Sequence, residues 1–110
     1  MRPIPSKMRA ELDAESRMHV CALSGKWRLY GNCDGRIEWD HVFIYAGKQI
    51  NEKWAIVGVC KGHHRNKEGN RTIKDAIQRA SLDLASTDDL AKYPRKDWRQ
   101  IKHSLDLDHA

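Results

Sequence analysis

The sequence predicts a small α+β domain in which a pair of short strands is followed by packed helices. Three observations carry that expectation. A β-branched and aromatic run fills Arg36–Tyr45, and a second apolar run fills Trp54–Val59. After Cys60 the apolar residues recur at helical spacing almost to the C-terminus. A chain of 110 residues has room for one modest core, so a single unit over 1–110 is expected.

Taken in order, Ser6 has the chemistry of an N-cap and opens a short helix through Leu12. Val20–Gly35 holds Cys21, Ser24-Gly25, Gly31-Asn32, Cys33 and Asp34-Gly35, a density of turn residues that predicts a looped knuckle. The strand Arg36–Tyr45 ends at Gly47, and Trp54–Val59 is the second strand. A polar helix from His63 to Glu68 stops at Gly69-Asn70. Thr72, with Asp75 three residues on, resembles a capping box. It starts a clearer helix with Ile73, Ala76, Ile77, Ala80 and Leu84 on one face. Thr87-Asp88-Asp89 caps a short turn ending near Tyr93-Pro94, and Pro94 suits the first position of a last helix carrying Trp98, Ile101 and Leu105. With one Phe in the chain, Trp27, Trp39, Trp54 and Trp98 are assigned to the core.

Charge and composition narrow the function without deciding it. There are 20 Lys and Arg against 15 Asp and Glu, a net charge of +5 and a pI near 9.3, which suits polyanionic partners. No run of 18 apolar residues is present, so no membrane span is expected. Met1–Ser6 lacks an apolar stretch of the kind a secretory leader needs. A cytoplasmic setting follows as the expectation. There the three cysteines, Cys21, Cys33 and Cys60, suit free thiols or metal ligands better than a disulfide framework.

Two clusters carry chemistry. Asp40-His41 lies late in the first strand, and Cys60-Lys61-Gly62-His63-His64 opens the following helix, with Lys67 and Glu68 after it. Hydrolysis of a phosphodiester needs a base to activate water and a cation to stabilise charge on the phosphate. Asp40 and His64 could ligate a metal, while His41, on the opposite side of the strand, could act as the base. A backbone carbonyl is expected to orient the base's other nitrogen.

These residues resemble the HNH (ββα-metal) endonuclease signature, an Asp-His pair, a β-hairpin, then Cys-x2-Cys-His-x2-Lys. Here the second element reads Cys60-x2-His63-His64-x2-Lys67. The resemblance covers about residues 20–70, with a helical extension over about 72–107, and is closest in flavour to small phage members. It implies a ββα-metal finger with additional packed helices in a small single domain, of phage or bacterial origin. It implies DNA as substrate, a one-metal mechanism with His41 as general base, and Asp40 and His64 as ligands to Mg²⁺, Mn²⁺, Ni²⁺ or Zn²⁺. Products would carry a 5′-phosphate and a 3′-hydroxyl. Glu68, four residues after His64, is a further candidate ligand. The family's middle Asn is replaced by Ala55, nine residues before His64, and Asn51 is the nearest substitute.

Many members are stapled by zinc bound through two knuckles. Cys21-x2-Ser24 looks like a knuckle that lost its second cysteine, so Cys21, Cys33, Cys60 and His63 form a candidate structural zinc set. The alternative is buried thiols behaving as small hydrophobes. Lys61, Arg65, Lys67, Arg71 and Lys74 flank the candidate metal and are assigned to DNA phosphates. The last helix is also basic, and there a plain solvated face explains the charges equally well. Two rivals remain: a non-catalytic zinc-stabilised DNA-binding module, and a phage-encoded interaction protein. Neither needs an open metal site.

Overall fold

The computed structural model describes residues 3–108. Met1 and Arg2, where the leader reading begins, and residues 109–110 of the expected 1–110 unit lie outside the described residues. The architecture is α+β, with two small antiparallel sheets and several helices. Helices α1 (Ser6–Asp13) and α2 (Trp27–Tyr30) precede strands β1 (Ile37–His41), β2 (Ile44–Tyr45), β3 (Lys48–Gln49) and β4 (Ile56–Cys60). Helices α3 (Lys61–Asn66), α4 (Arg71–Leu82), α5 (Thr87–Ala91) and α6 (Trp98–Asp108) follow, with 3-10 turns at Ser16–His19 and Lys53–Ala55. Among the described residues no helix is long and apolar enough to cross a membrane.

The central sheet pairs β1 with β4, Ile37 opposite Cys60 and Asp40 opposite Val57. Every residue of β4 is buried, because both of its faces are covered. Val57 and Val59 pack with Ile73, Ala76 and Ile77 of α4, while Ile56 packs with Leu12 and Met18 on the other side. The alternation of a strand sorts these residues between two cores. Gly58 shares the face of Ile56, and a Cβ there would lie 3.0 Å from the carbonyl oxygens of Met18 and Val20. Arg17 ties the same layer together by donating to the Ile56 carbonyl at 2.7 Å and the Lys53 carbonyl at 2.8 Å.

The expected strand over Arg36–Tyr45 is broken after His41. Phe43 turns into a separate core with Ile50, Trp54, Leu82, Leu90, Trp98 and Leu105, and the chain resumes as the β2–β3 hairpin. Its turn uses Ala46 and Gly47 at φ 53° and 80°, the left-handed pair a two-residue hairpin loop requires. Edge-to-face packing of Phe43 on Trp98 at 5.4 Å, and of Trp54 on Trp98 at 5.9 Å, builds this core from few aromatics.

Several local expectations are corrected. Pro5, not Ser6, is the N-cap of α1, and Ser6 is its first helical residue. The Trp54–Val59 strand starts only at Ile56, since Trp54 and Ala55 form a 3-10 turn held by Ser81 donating to the Trp54 carbonyl. Helix α4 begins at Arg71 because Asn70 accepts from the Ile73 amide, so Thr72 does not cap it. Leu84 lies beyond α4 and is exposed. Pro94 does not open α6, which starts at Trp98 with Asp97 accepting from the Gln100 amide. Trp54 and Trp98 are core residues, Trp39 is half-buried, and Trp27 is 59% exposed under the guanidinium of Arg28.

The close approach at Gly58 yields a stability test. Gly58→Ala must push β4 away from three backbone carbonyls rather than a flexible side chain, and should cost about 1–3 kcal/mol. The shift of the urea midpoint measures it, and an unchanged midpoint would show that the layer yields freely.

Candidate metal centres and catalytic cavity

The turn from β4 into α3 positions both groups of candidate residues. Cys60 ends β4 and caps α3, its sulfur accepting from the His63 amide at 3.4 Å. The amides of Lys61 and Gly62 donate to the carbonyls of Arg36 and Asp34, each at 2.8 Å, pinning α3 across the start of β1.

Cys21, Cys33, Cys60 and His63 present ligand atoms that all lie within 4.8 Å of one another. His63 Nδ1 is 3.2 Å from Cys60 Sγ, 3.5 Å from Cys21 Sγ and 4.0 Å from Cys33 Sγ. A tetrahedral ion such as zinc, with its ordinary metal–sulfur and metal–nitrogen bonds, separates ligand atoms by about 3.5–3.8 Å. The three His63 Nδ1–sulfur distances bracket that separation. His63 Nε2 donates to the Tyr30 carbonyl at 2.9 Å, which leaves Nδ1 as the lone-pair nitrogen facing the sulfurs. Amides of Leu23 and Asp34 also point at sulfur, toward Cys21 and Cys60 at 3.4 Å each.

The thiols act on Cys33 and Cys60 in opposite directions. Cys33 is exposed as a residue, but its sulfur is turned into the cluster. Desolvation there, with Cys21 and then Cys60 as neighbours, pushes its pKa up to about 12. Burial also works upward on Cys60, but the amides of His63 and Asp34 and the other two thiols outweigh it and hold Cys60 below the ordinary thiol value. Ionisation is therefore eased at Cys60 and opposed at Cys33, and a bound cation would ease it at both.

The second group lines a cavity of about 720 Å³ whose walls include Glu38, Asp40, His41, His64, Arg65 and Lys67. Asp40 and His41 are both buried at the end of β1. Strand alternation separates their partners. Asp40 Oδ1 lies 3.3 Å from His64 Nε2 and 2.6 Å from Lys67 Nζ, while its Oδ2 is buried without a partner. His64 Nδ1 is 2.8 Å from Glu38 Oε1. The hydrogen bond from His64, against a smaller upward push from burial and with the charges of His64 and Arg36 assisting, holds the Glu38 carboxyl below its usual range. His41 Nε2 lies 3.1 Å from Asn51 Oδ1, so a side-chain amide, not the expected backbone carbonyl, meets this ring.

Asp40 and His64 have the donor types and spacing of two ligands on one small divalent ion, which sit about 3.0–3.5 Å apart. The orphaned Asp40 Oδ2 fits the same requirement. Glu68 lines the cavity but lies past the last residue of α3, with no hydrogen bond or ion pair to His64 or Asp40 among the described residues. Glu38 holds His64 instead, which the sequence reading missed. Its place two residues before Asp40 on the same strand face was the available signal. Lys67, assigned to phosphate, is committed to Asp40. Lys61, Arg65 and Lys74 line the cavity, and Arg71 lies in a neighbouring depression beside Asp75.

Comparison of the chain with family models, with curated proteins and with solved structures returned no match.

The Cys3His geometry has a direct consequence. Elemental analysis of protein cleared of loosely held ions should find about one divalent ion per chain. Cys33→Ser should lower both that content and the melting temperature. Metal-free protein that melts where the untreated protein does would leave the cluster as plain thiols.

Proposed function

We propose that the chain is a metal-dependent DNA endonuclease of the HNH type, hydrolysing phosphodiester bonds with His41 as general base. The observation that supports it most is the convergence of Asp40, His41 and His64 on one cavity with a basic rim. The order of β1, β4 and α3 supports reading this region as a ββα-metal finger. Zinc is the ion proposed for Cys21, Cys33, Cys60 and His63, with a structural task, since no position of that set is left for substrate.

In this reading Asp40 and His64 hold the catalytic ion and Glu38 keeps His64 facing it. The chemistry a divalent ion supplies in such a site is charge stabilisation on the phosphate and the leaving 3′-oxygen. His41 accepts the proton of the attacking water through the lone pair of its neutral imidazole. Lys61, Arg65 and Lys74 neutralise phosphates flanking the scissile bond, giving affinity without sequence readout. Lys67 restrains the Asp40 carboxylate instead.

The short Lys67–Asp40 pair favours one rival. In it the ammonium, not a metal, neutralises Asp40, and the chain is a zinc-stabilised DNA-binding module without catalysis. A plasmid-nicking assay across Mg²⁺, Mn²⁺, Ni²⁺ and Zn²⁺ separates the two.

His41→Ala should reduce nicking by about 10²-fold or more while DNA binding persists. Turnover close to wild type in that variant removes His41 from the mechanism, and no nicking by wild type under any metal favours the binding module. The rim gives an independent measurement. Lys74→Ala should weaken duplex binding equally across sequences and flatten the log–log salt slope by about one unit. An unchanged slope would make Lys74 an ordinary solvated side chain.

A further inference from the structure

The contact of His41 with Asn51 continues outward. Asn51 Nδ2 donates to the Pro3 carbonyl at 2.8 Å, and Asn51 Oδ1 lies 3.1 Å from His41 Nε2. The two contacts use opposite ends of one amide. A carbonyl can only accept, so the NH2 end must face Pro3 and the oxygen must face the imidazole. An amide oxygen can likewise only accept, so the His41 nitrogen it faces must carry a proton. Pro3 and Ile4 also form a wall of a depression of about 490 Å³ shared with Glu38, Trp39, His41 and His64. The N-terminal segment thus borders the candidate site.

We infer that Asn51 is a positioning residue that holds His41 in the Nε2–H tautomer, and that the main chain at Pro3 sets the direction of the Asn51 amide. The consequence for chemistry rests on the nuclease reading above. With the proton on Nε2, Nδ1 carries the lone pair and is the nitrogen that takes a proton from water. An Asn51 side chain turned over would present NH2 to His41 and favour the opposite tautomer, placing the lone pair away from the reaction. A neutral imidazole has one basic nitrogen, and which one it is depends on the partner of the other. Asn51 reaches this place from the segment before the 3-10 turn at Lys53–Ala55, ten residues after His41 in sequence.

The test has two readouts. Imidazole nitrogen chemical shifts of His41, recorded on full-length protein without added catalytic metal or DNA and at a pH where histidines are neutral, report the tautomer. Single-turnover nicking at saturating plasmid reports the chemical step, and the plasmid concentration dependence reports binding. Wild type should show His41 protonated on Nε2. Asn51→Ala should give mixed tautomers and lower the saturated rate by about tenfold, because the ring loses its fixed orientation as well as part of the competent tautomer. Half-saturation should hardly move. Asn51→Asp keeps an acceptor oxygen for Nε2 and should restore the tautomer, with part of the rate.

Wild-type His41 protonated on Nδ1 overturns the inference, and that measurement needs no variant to fold. So does Asn51→Ala with an unaltered tautomer and rate, or Asn51→Asp behaving as Asn51→Ala does. Absence of nicking by wild type would sink the nuclease reading and leave the tautomer result standing on its own.

Discussion

The bend at Cys60 is the constraint on which the rest of the site depends. One residue closes the β1–β4 ladder opposite Ile37, caps α3 through its sulfur and contributes an atom to the Cys3His group. The two histidines that follow are neighbours on a helix, so they project about 100° apart. His63 therefore enters the thiol cluster while His64 reaches Glu38 and Asp40. Any loosening of the first turn of α3 moves both. The Cys3His group is thus physically coupled to the cavity, though no side chain belongs to both.

Burying Asp40 is the main electrostatic cost at that cavity. A buried carboxylate is tolerated only when paired and hydrogen-bonded, and here only one of its oxygens has partners. Glu38 adds a second negative charge beyond His64, partly offset by Arg36 at 3.3 Å. The cavity holds these two carboxylates beside the Lys67 ammonium, while the exposed Lys61, Arg65 and Lys74 also line it. Such a lining can attract a cation to the carboxylates and a phosphate to the exposed basic groups. Under the nuclease reading, Lys67 and a metal would compete for the same Asp40 oxygen, and the strength of that ion pair would set how readily a cation enters.

Local pattern revealed part of this and missed the rest for identifiable reasons. The β-branched runs and the 3.6-residue stripe of Ile73, Ala76 and Ile77 located β1, β4 and α4, because burial demands those periods. Cysteine and histidine chemistry picked out the four residues that the fold brings together, although Cys21 and Cys60 are far apart in sequence. The partners of Glu38 and Asn51 were harder to read, because they depend on how α3 crosses β1 and on a contact with Pro3, 48 residues away from Asn51. The break after His41 was hidden too. Val42 and Phe43 are good strand residues, and only the tertiary need to deliver Phe43 to the second core bends the chain there. Pro94 misled for a similar reason. Its turn lies between Tyr93, which stacks on Tyr45, and Trp98, whose indole donates to the Tyr93 carbonyl.

That second core gives the C-terminal helices a place in the same scheme. The β2–β3 hairpin has only two ladder pairs and could not hold its shape alone. Tyr45 stacks edge-on against Tyr93 at 5.0 Å, and its hydroxyl accepts from the Arg95 amide at 3.2 Å. Phe43, just before the hairpin, is wedged between Trp54 and Trp98. The hairpin in turn supplies Ile44 and Gln49 to the wall of the cavity. One wall is therefore fixed by the bend at Cys60 and the other by aromatic packing against α5, α6 and the turn between them. A chain with a single Phe braces that hairpin with Trp54, Trp98, Tyr45 and Tyr93.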